Sequence, residues 1–239
     1  MSTQRRLFLE ALRFCARLPA GASKGTDGAE PGAAARYVPV VGLLIGAVGG
    51  AVYWLGAQLW PTSIAVVLSI LATALLPGGT PGNVVSEQPA SEATPKPLGF
   101  GVAGFVFALL LKYNTLMALS AASLPFAVPA NVALGLIMIC GHAASRALVV
   151  SLLASSAPAS RAPVSNGDLV LALGVGFAPA TLLGIPGLIG LAVALVARVA
   201  FGAYLRRRRR VMANGASYAT QQLTEVCFYL GALASWMYV

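Results

Sequence analysis

The chain has 239 residues, of which 58% are hydrophobic and only 10% charged, and its mean hydropathy is +0.80. Soluble domains carry about 25% charged residues; a single soluble core of this length cannot hide so much apolar surface, so lipid must solvate the remainder. A formal net charge of +9, from 16 Lys+Arg against 7 Asp+Glu, would point to nucleic acid in a soluble protein, but here the cations sit at the ends of apolar runs, which assigns them to anionic lipid and topology and excludes a nucleic-acid partner.

The first predicted element is an N-terminal helix. Arg6, Glu10, Arg13 and Arg17 recur at spacings of four, three and four and form one polar stripe. Leu7, Leu12, Phe14, Cys15 and Leu18 cover much of the remaining surface, the pattern of an amphipathic helix lying on the cytoplasmic leaflet. Arg13 and Arg17 interrupt any apolar core of a secretory signal peptide. Pro19 ends the helix, and the Gly- and Ala-rich residues 20–35 form a loop. Residues 1–37 are thus a cytoplasmic, interfacial segment, and 38–239 a single transmembrane domain.

Seven candidate spans follow, at about 38–59, 62–76, 98–119, 132–153, 169–184, 187–205 and 219–238. A bilayer core needs ~20 helical residues, with ~17 to 25 observed. The second and fifth are short for that, which leaves six spans open if one of them breaks or re-enters. The expected class is all-α: a polytopic bundle of six or seven spans with an interfacial amphipathic helix. Its cytoplasmic loops fall at about 77–97, 154–168 and 206–218.

Loop charge orients the bundle. Arg5, Arg6, Arg13, Arg17, Lys24 and Arg36 precede the first span, Lys96 lies before the third, Arg161 before the fifth, and Arg206 to Arg210 before the seventh. With seven spans all four segments share one side, and the opposite loops hold no Lys or Arg. By the positive-inside rule the basic side is cytoplasmic, so the N-terminus is inside and Val239 on the opposite side of the membrane.

Polar groups inside spans are costly and therefore functional candidates. Lys112 lies well inside the third span; His142, Ser145 and Arg146 fall on the fourth, Arg198 on the sixth, and Gln221 and Glu225 open the seventh. His142 and Arg146 share a helix face, as do Gln221 and Glu225. Structural alternatives stay open: Lys112 and Arg198 can snorkel or pair within the bundle, and Arg146 with Glu225 can be a buried pair ordering two helices. Cys15, Cys140 and Cys227 are far apart, without metal-ligand spacing, and read as small apolar residues. The loop at 77–97 carries Glu87 and Glu92 among prolines, a weak candidate metal site beside the alternative of a disordered loop.

These residues resemble a family, the cobalamin synthases or adenosylcobinamide-GDP ribazoletransferases. The similarity runs through Ala11-Leu12-Arg13-Phe14 and Arg17-Leu18-Pro19, then Ala35-Arg36-Tyr37-Val38-Pro39-Val40-Val41-Gly42, Leu109-Leu110-Leu111-Lys112 and Gly141-His142-Ala143-Ala144-Ser145-Arg146. It is closest at Ala219-Thr220-Gln221-Gln222-Leu223-Thr224-Glu225-Val226 and Phe228-Tyr229-Leu230-Gly231. The resemblance implies transfer of the adenosylcobinamide phosphate group from adenosylcobinamide-GDP to α-ribazole or its 5′-phosphate, with release of GMP, in the last step of cobalamin assembly. It implies Mg²⁺ as cofactor, the two small molecules and the bilayer as partners, and it leaves room for a homo-oligomer. By carry-over Arg146, Lys112 and Glu225 are the catalytic candidates, and His142, Ser145 and Gln221 the substrate-binding ones.

The chain departs from the family where the family carries acids. After the second span, in place of His and several Asp around an Asp-Gly pair, it reads Pro77-Gly78-Gly79-Thr80-Pro81-Gly82-Asn83, and before the seventh, in place of Thr-Gly-Asp, it reads Ala213-Asn214-Gly215. Two alternatives therefore stand beside the transferase: a non-catalytic relative that binds corrinoid or scaffolds a membrane complex, and a small membrane transporter component.

Overall fold

The computed structural model describes residues 3–16, 31–76, 98–121, 129–156, 164–207 and 214–236, apart from the side chains of 13, 14, 16, 31, 98–102, 156, 214 and 215. The described residues form helices joined by turns, with no strand among them. In chain order these are α1 (Thr3–Ala16), a short α2 (Pro31–Ala34) continued by a 3₁₀ turn (Ala35–Tyr37), α3 (Val38–Leu59) and α4 (Thr62–Leu75). There follow α5 (Leu98–Ser120), α6 (Ala130–Ser156), α7 (Asn166–Thr181), α8 (Ile185–Arg207) and α9 (Asn214–Trp236).

Local chemistry sets the helix starts. Proline stands in the first turn of α3 and caps α4, positions where its missing N–H costs nothing. Ser165 caps α7: its side chain accepts from the Asp168 backbone N–H and bonds the Asp168 carboxylate, a reciprocal cap with the acid on the positive end of the helix dipole. Between α7 and α8 the chain turns through Gly184 at φ 65°, a backbone state that favours glycine.

Among the described residues four helical stretches are long and apolar enough to cross a membrane, Gly32–Leu59, Ala103–Ser120, Ala130–Ser155 and Ile185–Arg207, and the shorter Thr62–Leu75 is apolar too. The chain is a multi-pass membrane protein. Large apolar side chains such as Leu55, Leu71, Phe107 and Val196 stay exposed on the outer helix faces, as lipid solvation requires. α4 and α7, with 14 and 16 residues, reach only ~21 and ~24 Å at about 1.5 Å per residue.

α6 is the central helix. Most of it is buried, whereas α5 and α8 leave most of their surface outward. α3 lies along α6, α7 and α9 flank it, α8 packs on α9, and α4 closes against α3 and α5. Gly42, Gly46 and Gly50, one turn apart on α3, make the closest approach. A Cβ at Gly42 would stand 2.6 Å from the His142 carbonyl oxygen, one at Gly46 2.6 Å from Ile139 Cα, and one at Gly50 3.1 Å from Gly135 Cα. Two backbones pressed together along a small-residue stripe is how helices associate where lipid removes the hydrophobic drive.

α1 carries Arg6 and Glu10 of the predicted polar stripe, with Arg6 Nε 3.8 Å from Glu10 Oε1; the Arg13 side chain and Arg17 lie outside the described residues. Its apolar face is not left to lipid alone. Leu7 and Ala11 are buried, and Ala11 joins a cluster with Val38, Val41, Ile45, Val150 and Ala172. The amphipathic helix thus docks on the end of the bundle.

Candidate active site

Three helices bring polar side chains to one buried point. α6 supplies His142 and Arg146, one turn apart; α5 supplies Lys112; α9 supplies Glu225 and Tyr229. Lys112 Nζ lies 2.5 Å from Glu225 Oε1, His142 Nε2 lies 3.3 Å from the same oxygen, and the Tyr229 hydroxyl donates to it at 3.1 Å. Arg146 Nη1 reaches both the His142 carbonyl oxygen and its Nδ1 at 3.3 Å. A guanidinium has only donors, so Nδ1 accepts, and a neutral ring then carries its proton on Nε2, facing Glu225. Small residues make the meeting possible: a Cβ at Gly141 would lie 2.4 Å from the Tyr229 ring, so only glycine seats that ring against α6.

The charges do not cancel. Lys112, Arg146 and Glu225 are all 2% exposed or less, which sets two cations against one carboxylate out of reach of water. One oxygen of that carboxylate takes Lys112 and the Tyr229 hydroxyl; His142 Nε2 lies near it without a hydrogen bond, and Oε2 is buried with no hydrogen-bond partner. Arg146 Nε and Nη2 are likewise buried and unpartnered. Empty donors and an empty acceptor at such depth are costly unless a ligand fills them. The surplus is positive, a charge balance that favours an anionic ligand able also to offer a donor.

All three catalytic candidates and His142 belong to this cluster. Ser145 is fully buried, with its hydroxyl turned back to the His142 carbonyl at 3.2 Å. Gln221 is buried one turn before Glu225, with no hydrogen bond to the cluster. The Arg146–Glu225 pair, one of the structural alternatives, does not form; Glu225 pairs with Lys112 instead, because α5, not α6, delivers the nearer cation. Lys112 consequently does not snorkel. Arg198 ties α8 to the end of α6, donating from Nε to Ser151 Oγ at 2.8 Å and from Nη2 to Ser155 Oγ at 2.7 Å.

Glu87 and Glu92 lie outside the described residues. Among the described residues no three His, Cys, Asp or Glu side chains gather as a metal site. Mg²⁺ prefers about six oxygens near ideal geometry. The cluster offers one carboxylate, already holding an ammonium, beside a guanidinium, and that donor set does not fit Mg²⁺.

Three features escaped the reading from sequence. Tyr229 follows Glu225 by one turn, and that spacing could have revealed it. Cys15 of α1 lies within electrostatic reach of Arg146, a contact without a sequence signal. A second polar group latches α1 to the bundle: Gln4 Oε1 accepts from the Tyr37 hydroxyl at 2.5 Å and from Arg36 Nη2 at 3.1 Å, while Arg36 Nη1 lies 3.6 Å from Asp168 Oδ1.

Comparison with known proteins converges. Residues 7–80 match the family described as cobalamin-5-phosphate synthase. Along nearly its whole length the chain is similar to proteins named adenosylcobinamide-GDP ribazoletransferase. It is 34% identical to that of Leptothrix cholodnii, covering 96% of this chain and 95% of the relative. It is 31% identical to that of Ralstonia nicotianae, covering 95% and 93%, and 29% to that of Shewanella frigidimarina, covering 97% and 95%. No solved structure matches. The buried cluster lies beyond residue 80, outside that family match.

Proposed function

The chain belongs to the adenosylcobinamide-GDP ribazoletransferase family, and we propose that its buried Lys112–Glu225–His142–Arg146 cluster performs that family's transfer. The adenosylcobinamide phosphate group passes from adenosylcobinamide-GDP to α-ribazole or α-ribazole 5′-phosphate, the closing step of cobalamin assembly. A hydroxyl oxygen of the ribazole forms a new bond to the phosphorus that carries the corrinoid; the bond from that phosphorus to the bridging oxygen breaks, and its electron pair leaves with GMP.

The observation that carries this reading is the uncancelled positive charge. Displacement at phosphorus demands little covalent chemistry of a protein and much positioning and charge neutralisation. Lys112 and Arg146 supply the neutralisation, preorganised in a site without water to dilute it. Glu225, anchored by Lys112 and Tyr229 through one oxygen, keeps the other free to accept a hydrogen bond from a substrate hydroxyl. His142 spans the gap between Glu225 and Arg146 and fixes their separation. The described donors do not fit Mg²⁺, and no step above passes through it.

The cationic loops support a threading with the N-terminus in the cytoplasm of a bacterial cell, where nucleotide-bearing substrates are made, and with residues 38–239 as one membrane domain. The corrinoid and the ribazole are the small-molecule partners and the bilayer the solvent.

Purified protein incubated with adenosylcobinamide-GDP and α-ribazole should release GMP and cobalamin in equal amounts. Arg146→Ala should lower kcat/KM by about 10²–10³, the usual loss for one donor to a developing oxyanion. Corrinoid binding without GMP release, while the Leptothrix cholodnii relative turns over alongside, would show a binding protein in place of a transferase.

A further inference from the structure

We propose that the Nε–Nη2 edge of Arg146 is a buried subsite for a single phosphate group, held directly by the guanidinium with no divalent cation between them, and that Cys15 of α1 forms its wall. The proposal rests on the reading of the chain as a phosphoryl-group transferase and specifies how that chemistry is met without a carboxylate-held metal.

Arg146 commits only Nη1, to His142; Nε and Nη2 are buried and empty. These two nitrogens lie on one side of the planar guanidinium and present parallel N–H bonds. That is the bidentate fork that matches two oxygens of one phosphate or carboxylate. No carboxylate of the described protein fills it, since Glu225 lies beyond ion-pair distance and is held by Lys112. A bridging Mg²⁺ would enter beside two cations with a single carboxylate oxygen free, in a place where the described residues gather no three metal ligands.

The surroundings show where a ligand meets the protein. On the α3 side the site is sealed by backbone: a Cβ at Gly42 would stand 3.0 Å from Arg146 Cδ and 2.6 Å from the His142 carbonyl oxygen. On the α1 side stands Cys15, which packs against the cluster of Val38, Val41 and Val150 beside Gly42 and Arg146, with its thiol in electrostatic reach of the guanidinium. α1 rests on the bundle through Leu7 and Ala11 and the Gln4 latch, without a covalent or metal tie among the described residues. α1 is therefore the wall that can yield. Burial pushes the Cys15 thiol up, with the Arg146 charge working against it, so the free protein should alkylate slowly but measurably.

The experiment uses the full chain with Cys140→Ala and Cys227→Ala, in detergent micelles, so that Cys15 is the single thiol. Its alkylation by N-ethylmaleimide is timed with and without inorganic pyrophosphate, in EDTA and again with Mg²⁺. The expected result is at least a tenfold slowing by pyrophosphate, equal in both buffers. Arg146→Lys, which keeps the charge and loses the fork, should weaken protection at least tenfold, each variant being referred to its own ligand-free alkylation rate. No protection, protection only with Mg²⁺, or full protection in Arg146→Lys would each overturn the subsite. Protection without GMP release in the transfer assay would sink the transferase reading alone, whereas GMP release without protection would sink this one alone.

Discussion

Each buried polar residue here is defined by what it leaves unsatisfied. Glu225 neutralises Lys112 where neither sees water, so Glu225→Gln strands an ammonium in the bundle. Breaking a buried pair from one side costs about 3–5 kcal/mol, and the thermal transition in detergent should fall accordingly. Lys112→Met with Glu225→Gln should recover most of that loss, because the stranded charge goes with its partner; simple additivity in the double-mutant cycle would refute the coupling. Gly141 acts by absence: a methyl 2.4 Å from the Tyr229 ring must push it off α6 and away from Glu225. Gly141→Ala should cost about 1–3 kcal/mol in wild type and much less in a Tyr229→Ala background. Equal costs in both backgrounds would remove Tyr229 from the account. The polar members of the site were legible in the sequence, since ionisable side chains in apolar runs are conspicuous. Their partners were not. Pairing depends on how each helix is rotated about its axis, and sequence spacing fixes rotation only within a helix. That is why an Arg146–Glu225 pair stands open as an alternative on sequence alone, while the structure pairs Lys112 with Glu225, from α5 and α9.

Hydropathy fixed the elements well because a helix in lipid must satisfy its own backbone. The apolar runs at about 38–59 and 98–119 therefore coincide closely with α3 (Val38–Leu59) and α5 (Leu98–Ser120). What hydropathy could not supply was the packing order. Glycines 42, 46 and 50 of α3 read as small apolar residues until α6 is set against them. Gly46→Val places a branched side chain 2.6 Å from Ile139 Cα and must part the two helices that hold His142 and Arg146 in place. It should lower stability by about 3 kcal/mol or more, at or beyond the top of the usual overpacking range, and abolish transfer. The control is Gly104→Ala, where an added Cβ meets nothing within 4 Å on an exposed face of α5. There the helix should gain about 0.5–1 kcal/mol from lost unfolded-state freedom. If thermal melts ranked the two variants alike, close backbone approach would not be what holds α3 to α6. α1 teaches the converse. Its amphipathic stripe was plain from sequence, yet the stripe alone could not say that Leu7 and Ala11 face protein as well as lipid.

For the whole molecule, threading decides whether the site can meet its substrates. If all seven apolar helices cross, α6 enters from the side opposite the basic loops and α9 from the same side as them. Arg146 is then 10 residues from the basic-side end of a 27-residue helix, and Glu225 lies near the middle of a 23-residue one. At about 1.5 Å per residue that puts Arg146 roughly 15 Å inside the bundle from the cytoplasmic end, and α1 covers that end on the same side. Glu225, 11 residues from the start of α9, lies at nearly the same depth, so a charged nucleotide substrate entering from that end would meet guanidinium and carboxylate together. The threading predicts that a reporter fused ahead of Met1 is cytoplasmic and one fused after Val239 is not, as read by alkaline phosphatase and fluorescent-protein fusions. Two cytoplasmic termini would mean that one of the short helices, α4 or α7, fails to cross. The α5-to-α9 stretch would then invert if α4 failed, and the basic loops would no longer share one face. The cations that orient the chain by the positive-inside rule and the cations that fill its core would then serve opposite sides of the membrane, leaving the buried Arg146 without a route to the nucleotide pool.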